Sequence, residues 1–410
     1  MEIQEQEIDS SELQVGMFVS RLDRDWNGTP FPLQGVMLRT RDDIQKISHV
    51  ARRVWVDLEK STGPAVFHLH ALAPKPRVQV KPPPADHHGD AGVAPTSFDD
   101  EVLIGERLLN QLSERTSGLL DKLRRGEPVS QAEIDQVVEP VVRSLIRNPD
   151  AYFWLESLRS RHHYTYTHAV NCCALAAAFG RHLGFSDREV KSLAKGALLL
   201  DIGMGAVPPE MINHRGPLDE LGRAFVERHV AEGVDRLRQS GMDDAEVLDM
   251  VLHHHENVDG SGYPSGKVEG SIPLPGLIAG LVDAYDAMTS ERPYRAALSR
   301  ADALQQLVKQ RDGKRDAELV EQFVRCLGVY PVGTLIELNT GEVGIVMSQN
   351  PAQRLRPRLM MLTNATKQLR AHFIPVDLKD TKKQPALAEV HIIRSLPPGS
   401  YGLDPSTLDI

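Results

Sequence analysis

Disulfide bonding is the first thing the sequence rules out. Only three cysteines occur in 410 residues, Cys172, Cys173 and Cys326, too few for a disulfide framework. Cys172 and Cys173 are neighbours in an alanine-rich helical stretch, where small thiols are ordinary core residues, and such usage suits a reducing cytosol. Long apolar runs are missing too. None approaches the length of a membrane span, and the acidic start MEIQEQEIDS lacks the apolar stretch of a signal peptide, so a soluble, cytoplasmic protein with no membrane partner is expected. Basic excess is also absent. Lys and Arg total 47 against 56 Asp and Glu, a formal charge of −9, which argues against wrapping a nucleic-acid polymer and leaves room for a small anion held by a few local arginines. There are no evident internal repeats. With 41% hydrophobic and 25% charged residues, the chain has a globular composition and length enough for two or three domains.

Residues 1–72 read as a small α+β domain: GMFVSRL and RRVWVDL carry strand-like runs, with TRDDIQKIS as a short helix between them. Residues 73–97 are rich in proline and charge, cannot build a core, and predict an exposed linker; His87 and His88 lie there with nothing to fix their geometry. From Phe98 to residue 330 the pattern is helical. Val102, Leu103, Leu108, Leu109, Leu112, Leu119 and Leu120 recur at helical spacing, as do Ile134, Val137, Val138, Val141, Val142 and Leu145. Further helices are expected near 165–183, 187–200, 218–239, 244–255, 274–290 and 300–325. Ser186 and Glu189 make a capping box at the start of the second of these. Beyond Tyr330 the period shortens. GTLIELNTGEVGIVMSQ predicts two strands around an Asn-Thr-Gly turn and RPRLMMLT a third, so residues 331–410 form a β-rich segment ending in a loose tail.

Polar residues inside apolar helical stretches carry the chemistry. His168 opens HAVNCCALAAAFG, Asp201 ends the apolar run KGALLLD, and His229 lies in ELGRAFVERHVAEGV. His254 and His255 close EVLDMVLHHHE, and Asp283 and Asp286 sit three apart on one face of GLIAGLVDAYDAMTS. Taken singly, each has a bland reading as a satisfied core or surface residue, and His182 and His214 are read that way. As a set they are a mixture of imidazole nitrogens and carboxylate oxygens suited to iron, manganese or zinc. Adjacent histidines differ by ~100° around a helix, so His254 and His255 can address different sides of one site. Pairs of ions ~3.5–4 Å apart recur in enzymes that split phosphoesters.

The segment HHENVDGSGYP, followed by DAYDAMTSERPYR, resembles the HD-GYP family, a branch of the HD phosphohydrolases that degrades the bacterial second messenger cyclic di-GMP. The resemblance covers about residues 160–325, and GMFVSRLDRDWNGTPFPLQG is similar to the small domain of unknown function that often precedes such modules. It implies a mainly α protein, an all-α HD-domain helical core flanked by the small α+β domain and the short β-rich segment. It also implies two divalent transition-metal ions, iron or manganese, on His168, Asp201, His229, His254, His255 and Asp283, with Asp201 as bridging and catalytic carboxylate. Arg292 and Arg295 match the family's phosphate-holding arginines, and Gly262, Tyr263 and Pro264 form the turn that names it and a wall of the substrate site. Cyclic di-GMP is the implied partner; other signalling domains such as GGDEF proteins, and a second copy of the chain, are further partners to consider. The HD pair itself departs from the pattern. The family has His-Asp-x-Gly-Lys where this chain has Leu200-Asp201-Ile202-Gly203-Met204, losing one metal ligand and one cation. Tyr164 replaces the glutamate that supports a third metal in some members. His253 is an extra imidazole, expected in a supporting or surface role. Two readings lead, a weakened phosphodiesterase and an inactive module that binds the nucleotide or another protein; a third, cleavage of another phosphoester, is opposed by the GYP segment.

Overall fold

The computed structural model describes residues 5–24, 26, 29, 31, 35–57, 60–62, 94–127, 129–159, 164–212, 214, 216, 218–268, 270–291, 296–311 and 313–408. The chain divides into two compact units, Met1–Arg77 and Val78–Ile410. Residues 73–93 of the expected linker, with His87 and His88, lie outside the described residues.

In the first unit, strands β1 (Glu5–Asp9), β2 (Phe18–Leu22), β3 (Val36–Met37) and β4 (Arg53–Asp57) pair antiparallel in the order β1-β4-β2-β3. Val54 and Val56 of β4 face inward with Val19 of β2, as the period of two requires. Helix α1 (Arg41–Val50) begins at a capping box in which Thr40 and Asp43 satisfy each other's backbone N–H. It contributes Ile47 to a core shared with Met17 and Leu38. The strands and helix expected from the sequence are present. Strand β1, EQEID, has no apolar alternation of its own and is a strand because it pairs residue for residue with β4, from Glu5↔Asp57 to Asp9↔Arg53.

The second unit starts with α2 (Phe98–Arg124), α3 (Gln131–Arg147) and α4 (Pro149–Ser157). The apolar stripes of α2 and α3 meet in one core with the helices that follow, although Leu103, counted into the stripe, is 67% exposed. Glu101 of α2, fully buried, accepts hydrogen bonds from Ser144 and Arg147 of α3 and fixes the pairing of the two helices. Then come α5 (Tyr164–His182), α6 (Asp187–Leu198), the short α7 (Pro209–Ile212), α8 (Glu220–Glu227), α9 (His229–Gln239), α10 (Ala245–His253), α11 (Leu274–Thr289), α12 (Arg300–Gln310) and α13 (Ala317–Leu327). The expected Ser186–Glu189 box opens α6. Two expected helices are each divided: 218–239 breaks at Arg228, and 300–325 breaks before Asp316, which caps α13.

Beyond α13, strands β5 (Leu335–Leu338), β6 (Val343–Ser348), β7 (Arg358–Thr363), β8 (Leu369–Asp377) and β9 (Ile392–Leu396) form an antiparallel sheet in the order β8-β7-β6-β5-β9. It packs on Trp154 of α4. The expectation of a loose tail is corrected here. β9 pairs with β5, and Leu403 is only 4% exposed because it joins the core under the sheet. No helix among the described residues is long and apolar enough to cross a membrane.

Candidate metal centre

The site is assembled at helix ends. α6 stops at Leu198, so Asp201 stands in a turn just before a short 3-10 segment, Ile202–Ala206. That turn presses against the start of α9: a Cβ on Gly203 would lie 2.0 Å from the carbonyl oxygen of His229 and 2.6 Å from the backbone N of Gly233. Only glycine permits this approach, and it brings Asp201 and His229 together. His254 caps the C-terminus of α10 and His255 lies past it, so the two histidines do not close the helix as the sequence suggests. His168 comes from α5 and Asp283 from α11.

Asp201 sits at the middle. Its Oδ1 lies 3.6 Å from His229 Nε2 and 3.9 Å from His254 Nε2, and its Oδ2 lies 3.7 Å from His168 Nε2. Asp283 Oδ1 is 3.3 Å from His168 Nε2, and its Oδ2 is 3.9 Å from His255 Nδ1. The donors thus fall into two groups, Asp201, His229, His254 and His255 in one, His168, Cys172 and Asp283 in the other, each with ligand atoms within 4.8 Å of one another. Asp201, His255 and Asp283 keep 33%, 28% and 14% of their side-chain surface exposed while the other histidines are sealed, so the site opens to solvent on one side.

Hydrogen bonds fix the rings. His229 Nδ1 donates to the carbonyl of Val226 at 2.7 Å and His254 Nδ1 to that of Val251 at 2.9 Å. A carbonyl only accepts, so both Nδ1 atoms carry the proton and both Nε2 lone pairs face the shared space. His168 Nδ1 donates to Asp286 Oδ2 at 2.7 Å, and Asn171 donates to Asp286 Oδ1 at 2.8 Å. This carboxylate–histidine arrangement is the support that metal-ligating imidazoles use. Burial pushes the carboxyl of Asp201 up, but the nearby His168 and His229 outweigh it and its pKa falls below the usual value. Asp283 is lowered as well, the hydrogen bond with His168 and the charge of His255 overcoming burial. Burial lowers His254, and burial together with His254 alongside takes His255 down to about 3. Anionic Asp201 and Asp283 and neutral His254 and His255 are in the donor states a cation needs. Burial pulls His168 down, but Cys172 and the hydrogen bonds to Asp283 and Asp286 raise it, so a cation there displaces its proton, and the groups together fit a divalent metal site. Cys172 Sγ is 3.7 Å from either ring nitrogen of His168, and burial pushes that thiol up to about 12, so it packs there as a neutral group.

The GYP turn is built onto the histidines. A Cβ on Gly262 would lie 2.4 Å from the His255 carbonyl oxygen and 2.4 Å from the Asn257 nitrogen. Tyr263, joined to Pro264 by a cis peptide, donates its N–H to the His255 carbonyl at 3.2 Å and lays its ring 4.7 Å from the His255 ring. Glu256, buried, accepts from the backbone of Ser265 and Lys267 and closes the loop.

Six sequence-predicted ligands are therefore brought together. Arg292 and Arg295 lie outside the described residues. Leu200 is 2% exposed and lines, with His168, Asp201 and Arg124, a void of about 10 Å³. His253 is neither at the surface nor in the cluster: it is buried where α10 packs on Gly276 of α11, with Nδ1 3.0 Å from the Asp249 carbonyl. His182 faces Gln322 and His214 is exposed, as the bland readings have it. Asn171 goes unassigned in the sequence, and Asp286 is singled out there only as a member of the polar set with no role given; the signal for the pair is a second acid one turn after Asp283 and an amide one turn after His168.

Family models match three stretches of the chain: an HD domain over residues 152–319, a domain of unknown function (DUF3391) over residues 5–134, and a KOW domain associated with HD domain over residues 335–386. A cyclic di-GMP phosphodiesterase of Pseudomonas aeruginosa is 31% identical over 360 residues, which are 87% of this chain and 84% of that protein. The cyclic di-GMP phosphodiesterase response regulator RpfG of Xanthomonas campestris is 30% identical over 226 residues, 52% of this chain and 58% of the relative. A 3'3'-cGAMP-specific phosphodiesterase of Vibrio cholerae is 29% identical over 163 residues, 40% of this chain and 38% of the relative.

Proposed function

Because this chain belongs to the HD-GYP family, we propose that it is a cytoplasmic, metal-dependent phosphodiesterase that hydrolyses cyclic di-GMP in bacterial second-messenger signalling. The observation that carries the reading is the placement of Asp201, one carboxylate oxygen toward His229 and His254 and the other toward His168. Asp201, His229, His254 and His255 would hold one ion, and His168 and Asp283, with Asp201 between the two groups, would hold a second. Nitrogen and oxygen donors favour iron or manganese. Two such ions supply Lewis acidity to a phosphodiester and acidify a water nucleophile.

The chain's own residues do the holding and orienting. Asp286 and Asn171 keep His168 aimed, and the carbonyls of Val226 and Val251 keep His229 and His254 aimed. Arg292 and Arg295 grip the phosphates through charge-assisted hydrogen bonds. Gly262, Tyr263 and Pro264 form the wall beside His255. The domain plan proposed with this reading is 1–72, a linker at 73–97, the helical region 98–330 and the segment 331–410. GGDEF proteins and a second copy of the chain are its proposed macromolecular partners.

A second reading, a module that binds the nucleotide without turning it over, rests on Leu200 and Met204, which remove a ligand and a cation. The test is anaerobic purification, metal analysis and turnover of both cyclic di-GMP and 3'3'-cGAMP on one sample, with Asp201→Asn beside it. Expected is cyclic di-GMP turnover that the substitution abolishes. Nucleotide binding without turnover in the metal-loaded wild type establishes the second reading, and preferential turnover of 3'3'-cGAMP reassigns the substrate.

A further inference from the structure

Beside the candidate metal centre lies a guanidinium that has no counter-ion among the described residues. Arg315 follows α12, with its backbone N–H on the Gln310 carbonyl at 3.0 Å, and the preceding Lys314 carbonyl accepts from Val258 of the GYP loop at 3.1 Å. Its Nε is buried and has no hydrogen-bond partner. Among the described residues no carboxylate oxygen comes within 4.0 Å of the guanidinium.

The fold makes room for this group at a particular place. A Cβ on Gly280 of α11 would lie 2.7 Å from Arg315 Nη1 and 2.6 Å from the carbonyl oxygen of His254. Gly280 precedes Asp283 by three residues and shares its helix face, which places the guanidinium on the side of the helix that carries that acid. The carboxylates whose field reaches it are Asp283 and Asp259, neither close enough to pair. A half-buried guanidinium whose Nε is sealed from solvent without a partner is costly. The cost is explained when an anionic ligand supplies the missing charge. This site is short of one cation already, since Met204 stands where the family pattern has lysine.

We propose that Arg315 is a phosphate-binding residue of this site, supplying the counter-charge to a phosphate of the cyclic dinucleotide and making good the cation missing at Met204. The assignment rests on the phosphodiester reading above. Its planar fork of donors suits phosphate oxygens, and it stays charged while unliganded.

The experiment is calorimetric titration of inorganic phosphate into the Mn²⁺-loaded full chain, for wild type, Arg315→Met, Arg315→Gln and Arg315→Lys, with thermal melts of each. Expected are a loss of phosphate affinity of at least tenfold in the Met and Gln variants, most of the affinity kept in the Lys variant, and unchanged manganese content. The Met variant also melts higher than wild type, because a guanidinium with an unsatisfied buried Nε has gone. A merely structural arginine gives the reverse, a lower melting temperature with phosphate affinity untouched, and that result overturns the assignment. So does a wild type that binds no phosphate. Should the Met variant fail to fold, the Gln and Lys variants decide: equal affinity in the two overturns the proposal, and loss in Gln alone supports it. Phosphate binding that depends on Arg315, in a protein that turns over no cyclic di-GMP, supports this assignment and refutes the phosphodiesterase reading alone.

Discussion

Replacing Leu200 by histidine probes the departure from the family pattern at its source. The leucine is 2% exposed and borders a void of about 10 Å³ that it shares with His168 and Asp201. Removing its burial costs about 1.5–3 kcal/mol, and an imidazole left there without a partner adds about 1–3 kcal/mol. In metal-free protein Leu200→His should therefore lower stability by about 2.5–6 kcal/mol. Metal reverses the sign of the argument. Where the new nitrogen reaches an ion, a concentration one hundred times the dissociation constant returns about 2.7 kcal/mol, so the variant's melting temperature should climb with Mn²⁺ more steeply than that of wild type. Adding Met204→Lys restores the cation, and the double variant should hydrolyse cyclic di-GMP at least tenfold faster, about 1.4 kcal/mol of barrier. The assay is turnover, metal content and melting curves on the same preparations. A folded double variant with unchanged metal content and no gain in rate would mean that position 200 does not face the ions and that Asp201 has left the metal site.

Three further outcomes are expected. Asp286→Asn should weaken Mn²⁺ affinity by about 10–100-fold, since it withdraws the charge that orients His168; a titration indistinguishable from wild type would remove Asp286 from the account. Gly203→Ala should cost about 3 kcal/mol in chemical denaturation, because a Cβ 2.0 Å from the His229 carbonyl forces the turn and α9 apart; a loss below about 1 kcal/mol would show that the contact yields easily. Burial raises Asp150 to about 6 against the pull of the Gln349 N–H. Its folded pKa exceeds the unfolded one, so its stabilising contribution is complete below about pH 4 and is lost as pH rises through about 6. Asp150→Asn keeps an acceptor for Gln349 and should match wild type near pH 4 and exceed it by about 3 kcal/mol near pH 8; a difference that does not change with pH would refute this.

Which members of the polar cluster hold metal came only from the family resemblance; the cluster itself was legible because burying so many ionisable groups in apolar helices has no structural motive. The helices of the core were legible for the same reason: their apolar stripes are periodic over several turns. What escaped depends on contacts between distant segments. β1 and β9 are strands through their partners β4 and β5, and neither EQEID nor IIRSL carries enough alternation to stand alone. The break at Arg228 is invisible in a continuous helical pattern, yet it sets His229 at the head of α9 against Gly203. His253 looks as well placed for metal as its neighbours, and only the packing of α10 on Gly276 turns it away. Arg315 reads as an ordinary surface cation in RDGKRDAEL until Gly280 is seen to hold its place.

The proposed role of Asp201, a carboxylate shared by two ions, is tested directly by stoichiometric loading. Mn²⁺ is titrated into chelator-stripped protein while cyclic di-GMP turnover is followed. The group of Asp201, His229, His254 and His255 fills first, because the other group has Leu200 in place of a ligand, so turnover should be absent near one equivalent per chain and rise with the second. Full turnover at one equivalent, or none at saturation, would contradict it.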